Sequence, residues 1–359
     1  MSAPMKVGLV LSGGGAKGAY QVGVLKALRE LGTRIDAVSG ASIGALNGGI
    51  LASAPSLDVA IERLELLWGR LSVNSPLNLK MPGYVSLLAA AGLRMNGASA
   101  VLAAAHGAKR LAQRFDVELP EWLDGWEDGL LDDKPLQQLM DEFLVSKDLA
   151  RGLPLYVSLY ESLGGVEDIA RAVYAELGFA DTPHSQFFHV QSSADEAEQK
   201  RILLASAALP LLFKTRRHAG RSWSDGGQGG WQTMQGNTPV TPLLEAGCNL
   251  LIVTHLSDGS VWSRQRFPDA TVLEIRPTKS LARATGFMSG ARDLLGFDSE
   301  KIPSWIEQGY YDTLHSVGRV MKAQSARNEL RASEEALTSL DRESARADQG
   351  LADAMSRLK

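Results

Sequence analysis

The first fifty residues alternate between short apolar runs and apolar residues at helical spacing. Val7–Leu11 is a nearly continuous apolar run, which is typical of a strand buried on both faces of a sheet. Apolar residues then recur at helical spacing from Val24 to Leu31, and Ile35–Ser39 and Ile43–Leu51 predict a second strand and a second helix. Two strand–helix repeats in so short a stretch predict an α/β fold, in which helices cover a mostly parallel central sheet.

Later apolar stretches extend this pattern along the chain. They predict further strands at Leu153–Leu159, Leu250–His255 and Thr271–Ile275, and a helix at Glu196–Leu209. The sheet therefore draws its strands from both halves of the chain.

The stretch from Val85 to Phe115 is rich in alanine and leucine and is interrupted by glycines. It predicts inserted helices, within an insertion at residues 80–150, and two interpretations stay open. The first is a buried helical pair placed between sheet strands. The second is a mobile lid whose apolar face contacts lipid, with apolar residues from Leu87 to Leu111 covering an acyl chain.

The C-terminal segment differs in composition from the rest of the chain. From Ala323 onward it is rich in Ala, Arg, Glu and Ser, so we expect residues 1–322 to form the main domain and residues 323–359 a charged helical extension. Leu330 and Leu337 begin a heptad spacing that serines and a glycine interrupt. This pattern favours a solvated helix packed back on the main domain over a coiled coil, and it leaves oligomerisation through the helix open.

Composition and charge narrow the classes of function. The 359-residue chain is 45% hydrophobic, which is enough for a large buried core, and its single cysteine, Cys248, cannot form an internal disulfide. A formal net charge of -4 argues against a nucleic-acid binder held by its overall field. The sequence shows no secretory signal and no apolar run of about 18 residues. We therefore expect a cytoplasmic protein, with peripheral membrane contact and signal-independent export left open.

A G-x-S-x-G motif lies between the second predicted strand and the second predicted helix. It reads Gly40-Ala-Ser42-Ile-Gly44, so its serine falls on the tight turn where a hydrolase presents its nucleophile. The flanking glycines let neighbouring backbone approach, and the helix N-terminus favours negative charge on the serine oxygen. Taken alone, such a motif is more often an ordinary glycine turn with a capping serine. Its position between strand and helix favours a nucleophile.

A run of glycines, Gly13–Gly18, follows the first predicted strand. Its sequence, GGGAKG, also fits the G-x-G-x-x-G pattern of dinucleotide-binding folds. Such a fold places an acidic residue at the end of the second strand, whereas Asp36 stands at the start of that strand. A Walker loop is excluded because Ala19 follows the last glycine. Glycines beside a serine elbow are better explained as backbone N–H donors of an oxyanion hole.

A serine nucleophile needs a base. None of the six histidines lies in a recognisable catalytic setting, and His255, which follows an apolar strand, is the best of them. Asp225 is the stronger candidate, because Gly226 and Gly227 after it would allow a carboxylate to approach the serine closely. The alternative for an Asp-Gly pair is an ordinary turn.

These three motifs, in this order, resemble the patatin-like phospholipase family. The resemblance covers roughly Lys6 to His255 and includes two further stretches, Ala205–Phe213 before Asp225 and Asn237–Leu244 after it. It implies a bacterial member of the family with a three-layer α/β/α fold. The link from Asp225 to Asn237 is longer and richer in glycine than is usual in the family, which predicts a flexible loop near the site.

The resemblance also assigns roles to residues of this chain. Ser42 would be the nucleophile and Asp225 the general base, a dyad without histidine. The oxyanion-hole donors would be Gly13, Gly14 and Gly15, and the supporting positions would be Lys17, Gly18, Gly40, Gly44, Gly226 and Gly227. No metal and no organic cofactor is implied.

The activity implied by the resemblance is hydrolysis of carboxylic esters in phospholipids, lysophospholipids or neutral lipids, through an acyl-serine intermediate. Acyl transfer and non-lipid ester hydrolysis on the same dyad stay open, as does a non-enzymatic regulatory protein on this scaffold. A nucleotide-dependent oxidoreductase is disfavoured by the position of Asp36.

Overall fold

Eight strands form one mixed sheet in the computed structural model, which describes residues 5–73, 134–176, 178–193, 195–210, 213–257, 261–281, 297 and 299–357. The strands are β1 (Val7–Leu11), β2 (Ala37–Gly40), β3 (Leu155–Glu161), β4 (Gln186–His189), β5 (Arg216–His218), β6 (Arg221–Asp225), β7 (Leu250–Thr254) and β8 (Thr271–Ile275). Their order is β5-β6-β3-β2-β1-β7-β8, and β4 pairs with β3 beside that path. The run β3-β2-β1-β7-β8 is parallel, whereas β4, β5 and β6 pair antiparallel with their neighbours.

Helices precede and follow these strands along the chain. They are α1 (Ala19–Glu30), α2 (Ile43–Ala52), α3 (Leu57–Val73), α4 (Lys134–Phe143), α5 (Ser146–Leu149), α6 (Gly165–Glu176), α7 (Glu196–Ser206), α8 (Thr241–Glu245) and α9 (Lys301–Arg357). Within the described parts of the chain, no helix combines the length and the apolar character needed to cross a membrane.

The predicted insertion is described only at its end, where α4 and α5 lie. The alanine-rich and leucine-rich stretch from Val85 to Phe115 lies outside the described residues, so both interpretations of it stay open. The apolar residues from Leu87 to Leu111 also lie there.

The side chains of β1 show how both faces of the sheet are covered. Val7, Leu9 and Leu11 belong to a large core that includes residues of α1, α2, α3, α7 and α9. Val10 belongs to a second cluster with Leu243 of α8 and residues of β7. Burial on both faces explains why this strand is a continuous apolar run in the sequence. The arrangement is the predicted three-layer α/β/α fold with a mostly parallel central sheet.

Sequence and structure agree closely for the parallel part of the sheet. The strands at Val7–Leu11 and Thr271–Ile275 have the predicted bounds, and β2, β3 and β7 lie within two residues of them. The helix expected at Glu196–Leu209 ends instead at Ser206. Ala208 lies beyond this helix end, and its carbonyl accepts a hydrogen bond from the Asp225 N–H, at 2.9 Å.

Among the α9 side chains that the structure describes, those that pack on the sheet domain lie in the first part of the helix. The last buried apolar residue among them is Met321, whereas Leu330 and Leu337 are each 60% exposed. The expectation that the C-terminal helix packs back on the main domain is therefore wrong for the described side chains from Lys322 to Gly350, which are exposed. The physical reason is the sequence itself, in which small and charged residues separate the leucines and leave no continuous apolar stripe. The predicted division after residue 322 falls within this continuous helix and stays a prediction.

Candidate active site

The carboxyl ends of β1 and β2 lie side by side. Leu11 pairs with Gly40 in the parallel ladder, so the Gly13–Gly18 loop after β1 and Ser42 after β2 leave the sheet at the same edge. Asp225 ends β6 and pairs with the carboxyl half of β3, which is the next strand beyond β2. The topology therefore brings the three predicted motifs to one edge of the sheet.

Ser42 occupies a strained turn between β2 and α2. Its φ of 53° and ψ of -126° belong to a region that residues with a side chain rarely adopt. A Cβ atom on Gly40 would lie 2.5 Å from the Gly44 carbonyl oxygen, and one on Gly44 would lie 2.0 Å from the Leu11 carbonyl oxygen. The two glycines are thus required by the close approach of backbone, as in a nucleophile elbow.

The backbone of this turn is held by a buried serine of α7. The Ser42 N–H donates to Ser206 Oγ at 3.1 Å, and Ser206 Oγ donates to the Ser158 carbonyl oxygen of β3 at 2.8 Å. Ser206 and Ser158 are both fully buried. The strained turn is therefore attached to the sheet through one hydroxyl group that water does not reach.

Asp225 is held by backbone groups on both sides. Its own N–H donates to the Ala208 carbonyl, and the Gly227 N–H donates to Asp225 Oδ1 at 2.8 Å. A Cβ atom on Gly226 would lie 1.9 Å from the Ser158 carbonyl oxygen. Only glycine lets the chain turn this close to β3 immediately after the carboxylate.

The environment of the Asp225 carboxyl changes its acidity. Burial raises its pKa from 3.8 to about 6, while hydrogen bonding from the Ser42 side chain and from the Gly227 N–H lowers it by less. The second carboxylate oxygen, Oδ2, is buried, and no group in the described chain bonds it with good hydrogen-bond geometry. The carboxylate thus lies within reach of Ser42, with one oxygen able to accept a proton near neutral pH.

The glycine loop packs directly against the serine turn. A Cβ atom on Gly13 would lie 3.0 Å from Ser42 Cβ. The Gly13 N–H donates to the Asn237 carbonyl at 3.4 Å, whereas within the described residues the N–H groups of Gly14 and Gly15 have no acceptor. Of the three predicted oxyanion donors, Gly14 and Gly15 are therefore the ones available to a ligand. Lys17 follows them in the short turn that leads into α1.

A buried polar network fixes both ends of the glycine loop. Asn47 Nδ2 donates to the Gly18 carbonyl at 3.1 Å and to Gln21 Oε1 at 2.8 Å, and Gln21 Nε2 donates to the Ser12 carbonyl at 2.8 Å. Trp68 Nε1 donates to Asn47 Oδ1 at 3.2 Å. Because Ser12 precedes the loop and Gly18 ends it, these bonds hold the N–H groups of the loop in a fixed position before any ligand binds.

The link after Asp225 is packed, which corrects the expectation of a flexible loop. It forms two short turns, at Gly226–Gln228 and Trp231–Thr233. Thr182 Oγ1 donates to the Gln228 carbonyl at 2.6 Å, and the Gly236 N–H donates to the Gly229 carbonyl at 2.8 Å. Its glycines serve close packing, since a Cβ atom on Gly236 would lie 2.2 Å from the Gly226 carbonyl oxygen.

Two other candidate residues, His255 and Asp36, are not brought to Ser42. His255 Nε2 lies 3.2 Å from Glu274 Oε2, and burial lowers the pKa of this imidazole. Strand β1 separates β7, which precedes His255, from β2. Asp36 lies at the amino end of β2, where its Oδ2 accepts the Val7 N–H at 2.8 Å. It is thus at the opposite edge of the sheet from the one that a dinucleotide site requires.

Three residues at the site were missed by the sequence analysis: Ser158, Ser206 and Asn237. The Asn237 Oδ1 atom would lie 2.6 Å from a Cβ on Gly13 and 2.9 Å from one on Gly227, so this amide fits between the glycine loop and the turn after Asp225. Ser206 and Asn237 fall in stretches that resemble the family, which was the available signal. Ser158 carries none, because it is one small residue within a buried strand.

No cluster of three or more metal-ligating side chains occurs among the residues that the structure describes.

Short stretches of the chain are similar to much longer curated proteins. Over 62 residues, 17% of the chain, it is 55% identical to a patatin-like phospholipase domain-containing protein of Caenorhabditis elegans, of which the match covers 4%. Over 46 residues, 13% of the chain, it is 63% identical to lysophospholipase nte1 of Aspergillus terreus, of which the match covers 3%. The chain thus matches only a small part of each relative. Both are eukaryotic, so the bacterial origin stays a prediction.

A solved structure and a family model are also similar to this chain. The crystal structure of VipD from Legionella pneumophila is 16% identical, with a TM-score of 0.41 over 89% of this chain and 68% of that chain. The family model for patatin-like phospholipases matches residues 9–244, more than half of the chain, and this range includes the glycine loop, Ser42 and Asp225. The chain belongs to the patatin-like phospholipase family.

Proposed function

We propose that the protein is a lipid acyl hydrolase of the phospholipase A or lysophospholipase type, with Ser42 as nucleophile and Asp225 as general base. The observation that carries this proposal is the buried carboxylate of Asp225, with its raised pKa, in contact with the Ser42 side chain. A carboxyl group with a pKa of about 6 is mostly ionised at pH 7 and can still hold a proton during turnover.

The reaction begins with proton transfer from Ser42 to Asp225 as the serine oxygen attacks the ester carbonyl carbon. The N–H groups of Gly14 and Gly15 donate to the oxyanion that forms. Collapse of this intermediate breaks the ester bond, and the leaving alcohol takes the proton from Asp225. An acyl-serine remains.

The second half of the reaction repeats these steps with water. Asp225 removes a proton from a water molecule, which attacks the acyl-serine carbonyl. Collapse of the second oxyanion releases the fatty acid, and the proton held by Asp225 returns to Ser42. The cycle is balanced, with one ester and one water consumed and one acid and one alcohol formed, and it uses no metal.

Membership of the family and the names of the similar proteins favour a lipid ester as substrate. The test is a panel of phospholipids, lysophospholipids and neutral acylglycerols of different acyl length, with products identified by mass spectrometry. We expect fatty acid release that depends on acyl length. A rate that is flat across acyl lengths would argue for a general carboxylesterase instead, and an acylated acceptor other than water would identify a transferase.

The nucleophile is tested with matched serine variants in the same assay. Ser42→Ala should abolish turnover while the protein stays folded. Ser53→Ala is the control, because Ser53 is a buried serine after the other end of α2 whose hydroxyl group donates to the Ile50 carbonyl, at 3.2 Å. Full activity in Ser42→Ala would overturn the proposal, whatever lipid is hydrolysed.

A further inference from the structure

We propose that Ser206 is a positioning residue for this reaction, and that its hydroxyl group fixes Ser42 relative to Asp225 without touching the substrate. The inference rests on the proposed function. Ser206, the last residue of α7, lies between the turn that holds Ser42 and strand β3.

The first contact of Ser206 acts on the nucleophile. Its Oγ accepts a hydrogen bond from the Ser42 N–H at 3.1 Å. Ser42 is in a strained conformation, with φ at 53°, so its geometry depends on the neighbours that hold it. Without the hydroxyl, the buried Ser42 N–H would be left unpaired and the turn would be free to relax.

The second contact of Ser206 acts on β3, the strand that pairs with β6, at whose end Asp225 lies. Its Oγ donates to the Ser158 carbonyl at 2.8 Å, and Ser158 Oγ donates in turn to the Gly226 carbonyl at 3.2 Å. Gly226 directly follows Asp225, and a Cβ on it would lie 1.9 Å from the same Ser158 carbonyl oxygen. Three hydrogen bonds through Ser206 and Ser158 thus connect the backbone of Ser42 with that of Gly226, the residue after Asp225.

The backbone beyond Ser206 adds a second connection. Two residues later, the Ala208 carbonyl accepts the Asp225 N–H at 2.9 Å. The end of α7 therefore bonds the backbone of Ser42 through a side chain and the backbone of Asp225 through a carbonyl. A displacement of this helix end would change the separation of the serine oxygen and the carboxylate, which is the distance that proton transfer depends on.

The test compares Ser206→Ala, Ser206→Thr and Ser53→Ala with the wild-type chain. Active sites are counted by labelling with a fluorophosphonate probe, and kcat and KM for a lipid ester are expressed per labelled site. We expect Ser206→Ala to lower kcat by about ten- to a hundredfold with KM nearly unchanged, since misplacement of reacting groups costs rates of this order. Ser206→Thr retains the hydroxyl and should recover most of kcat, and Ser53→Ala should match the wild type.

The possible outcomes separate this inference from the proposed function. If wild type neither labels nor hydrolyses esters, or if Ser42→Ala does both, the proposed function fails and this inference with it. If wild type is active and Ser206→Ala has the kcat per site of Ser53→Ala, the inference alone is overturned. Equal losses in Ser206→Ala and Ser206→Thr, or failure of Ser206→Ala to fold, would show a packing role and would also overturn it.

Discussion

The Ser42 side chain contacts the carboxylate of Asp225, which is buried and 3% exposed. Ser42 follows β2 and Asp225 ends β6, and β3 lies between these two strands in the sheet. Burial disfavours the charged form of the carboxylate, so the Asp225 carboxyl group beside the serine hydroxyl is a weaker acid than an ordinary aspartate.

The pH dependence of activity should follow the ionisation of Asp225. Because its pKa is about 6, we expect kcat/KM to fall about tenfold per pH unit below that value and to level off above it. Initial rates on a soluble ester from pH 4 to 9 measure this profile. An acid limb that stays near pH 4, the range of an ordinary aspartate, would contradict the assigned role of this carboxyl group.

Removing the charge of Asp225 should stabilise the fold while abolishing activity. The folded pKa of about 6 exceeds the ordinary value of 3.8, so between these values the folded chain binds more protons than the unfolded chain and loses stability as the pH rises. The full shift corresponds to about 3 kcal/mol. In urea denaturation at pH 8, Asp225→Asn should be more stable than wild type by up to that amount.

The same pair of proteins at low pH provides the control. Near pH 4 the Asp225 carboxyl is already protonated in the fold, so the advantage of Asp225→Asn should be nearly gone. A variant that is equally stable or less stable than wild type at pH 8 would show that burial does not destabilise this charge.

Glycine at position 226 should be needed for activity, whereas glycine at position 69 should not. In Gly226→Ala the new Cβ would meet the Ser158 carbonyl oxygen at 1.9 Å, so the turn after Asp225 must shift. We expect kcat to fall at least tenfold and stability to drop by about 1–3 kcal/mol.

The control for that prediction is Gly69→Ala. Gly69 lies inside α3, and a Cβ there would meet no atom within 4 Å. This substitution should leave kcat unchanged and stabilise the fold by about 0.5–1 kcal/mol, because alanine loses less conformational entropy in a helix. Thermal unfolding and rates per labelled site measure both effects, and similar behaviour of the two variants would refute the packing argument at position 226.

The exposed part of α9 should be dispensable for the fold and for catalysis. A chain ending at Lys322 keeps Met321, the last buried apolar side chain among those described in α9, and should retain the unfolding temperature and kcat of the full chain. Such a result would also support the proposed division between residues 1–322 and 323–359. A large loss of stability on truncation would mean that the exposed helix has a partner in solution, such as a second copy.

Asp312 lies in the part of α9 that the truncated chain keeps, and we expect its substitution to destabilise the fold. This buried carboxylate accepts from the Tyr20 hydroxyl at 3.0 Å and from Thr278 Oγ1 at 2.6 Å. Asp312→Ala leaves both groups without their acceptor, and it should destabilise the fold by about 3 kcal/mol or more. Comparing it with the truncated chain separates the packed part of the helix from the exposed part.

The parallel part of the sheet was predictable because its strands are buried on both faces. Val7–Leu11 carries its own signal, a continuous apolar run between polar or glycine-rich segments. The antiparallel strands β4, β5 and β6 were not predicted. Arg216–His218 is an edge strand made of three basic or polar residues, and it exists because β6 pairs beside it, which no local pattern reports.

The candidate site was predictable where the backbone itself demands a residue type. Gly40, Gly44 and Gly226 stand where any side chain would meet a carbonyl oxygen, so they appear in the sequence as motifs. Ser206 and Ser158 act through single hydroxyl groups that meet only after folding. Ser206 falls in a stretch that resembles the family, but no sequence pattern identifies Ser206 and Ser158 as hydrogen-bond partners.

The most direct test of the central claim is to observe the acyl group on Ser42. The wild-type chain is mixed with a phospholipid or lysophospholipid, quenched in acid during the first turnovers, digested and analysed by mass spectrometry. The account predicts one acyl adduct on the peptide that contains Ser42, absent in Ser42→Ala and much slower to form in Asp225→Asn. Ester hydrolysis without any adduct on Ser42, or an adduct that forms as fast in Asp225→Asn as in wild type, would contradict it.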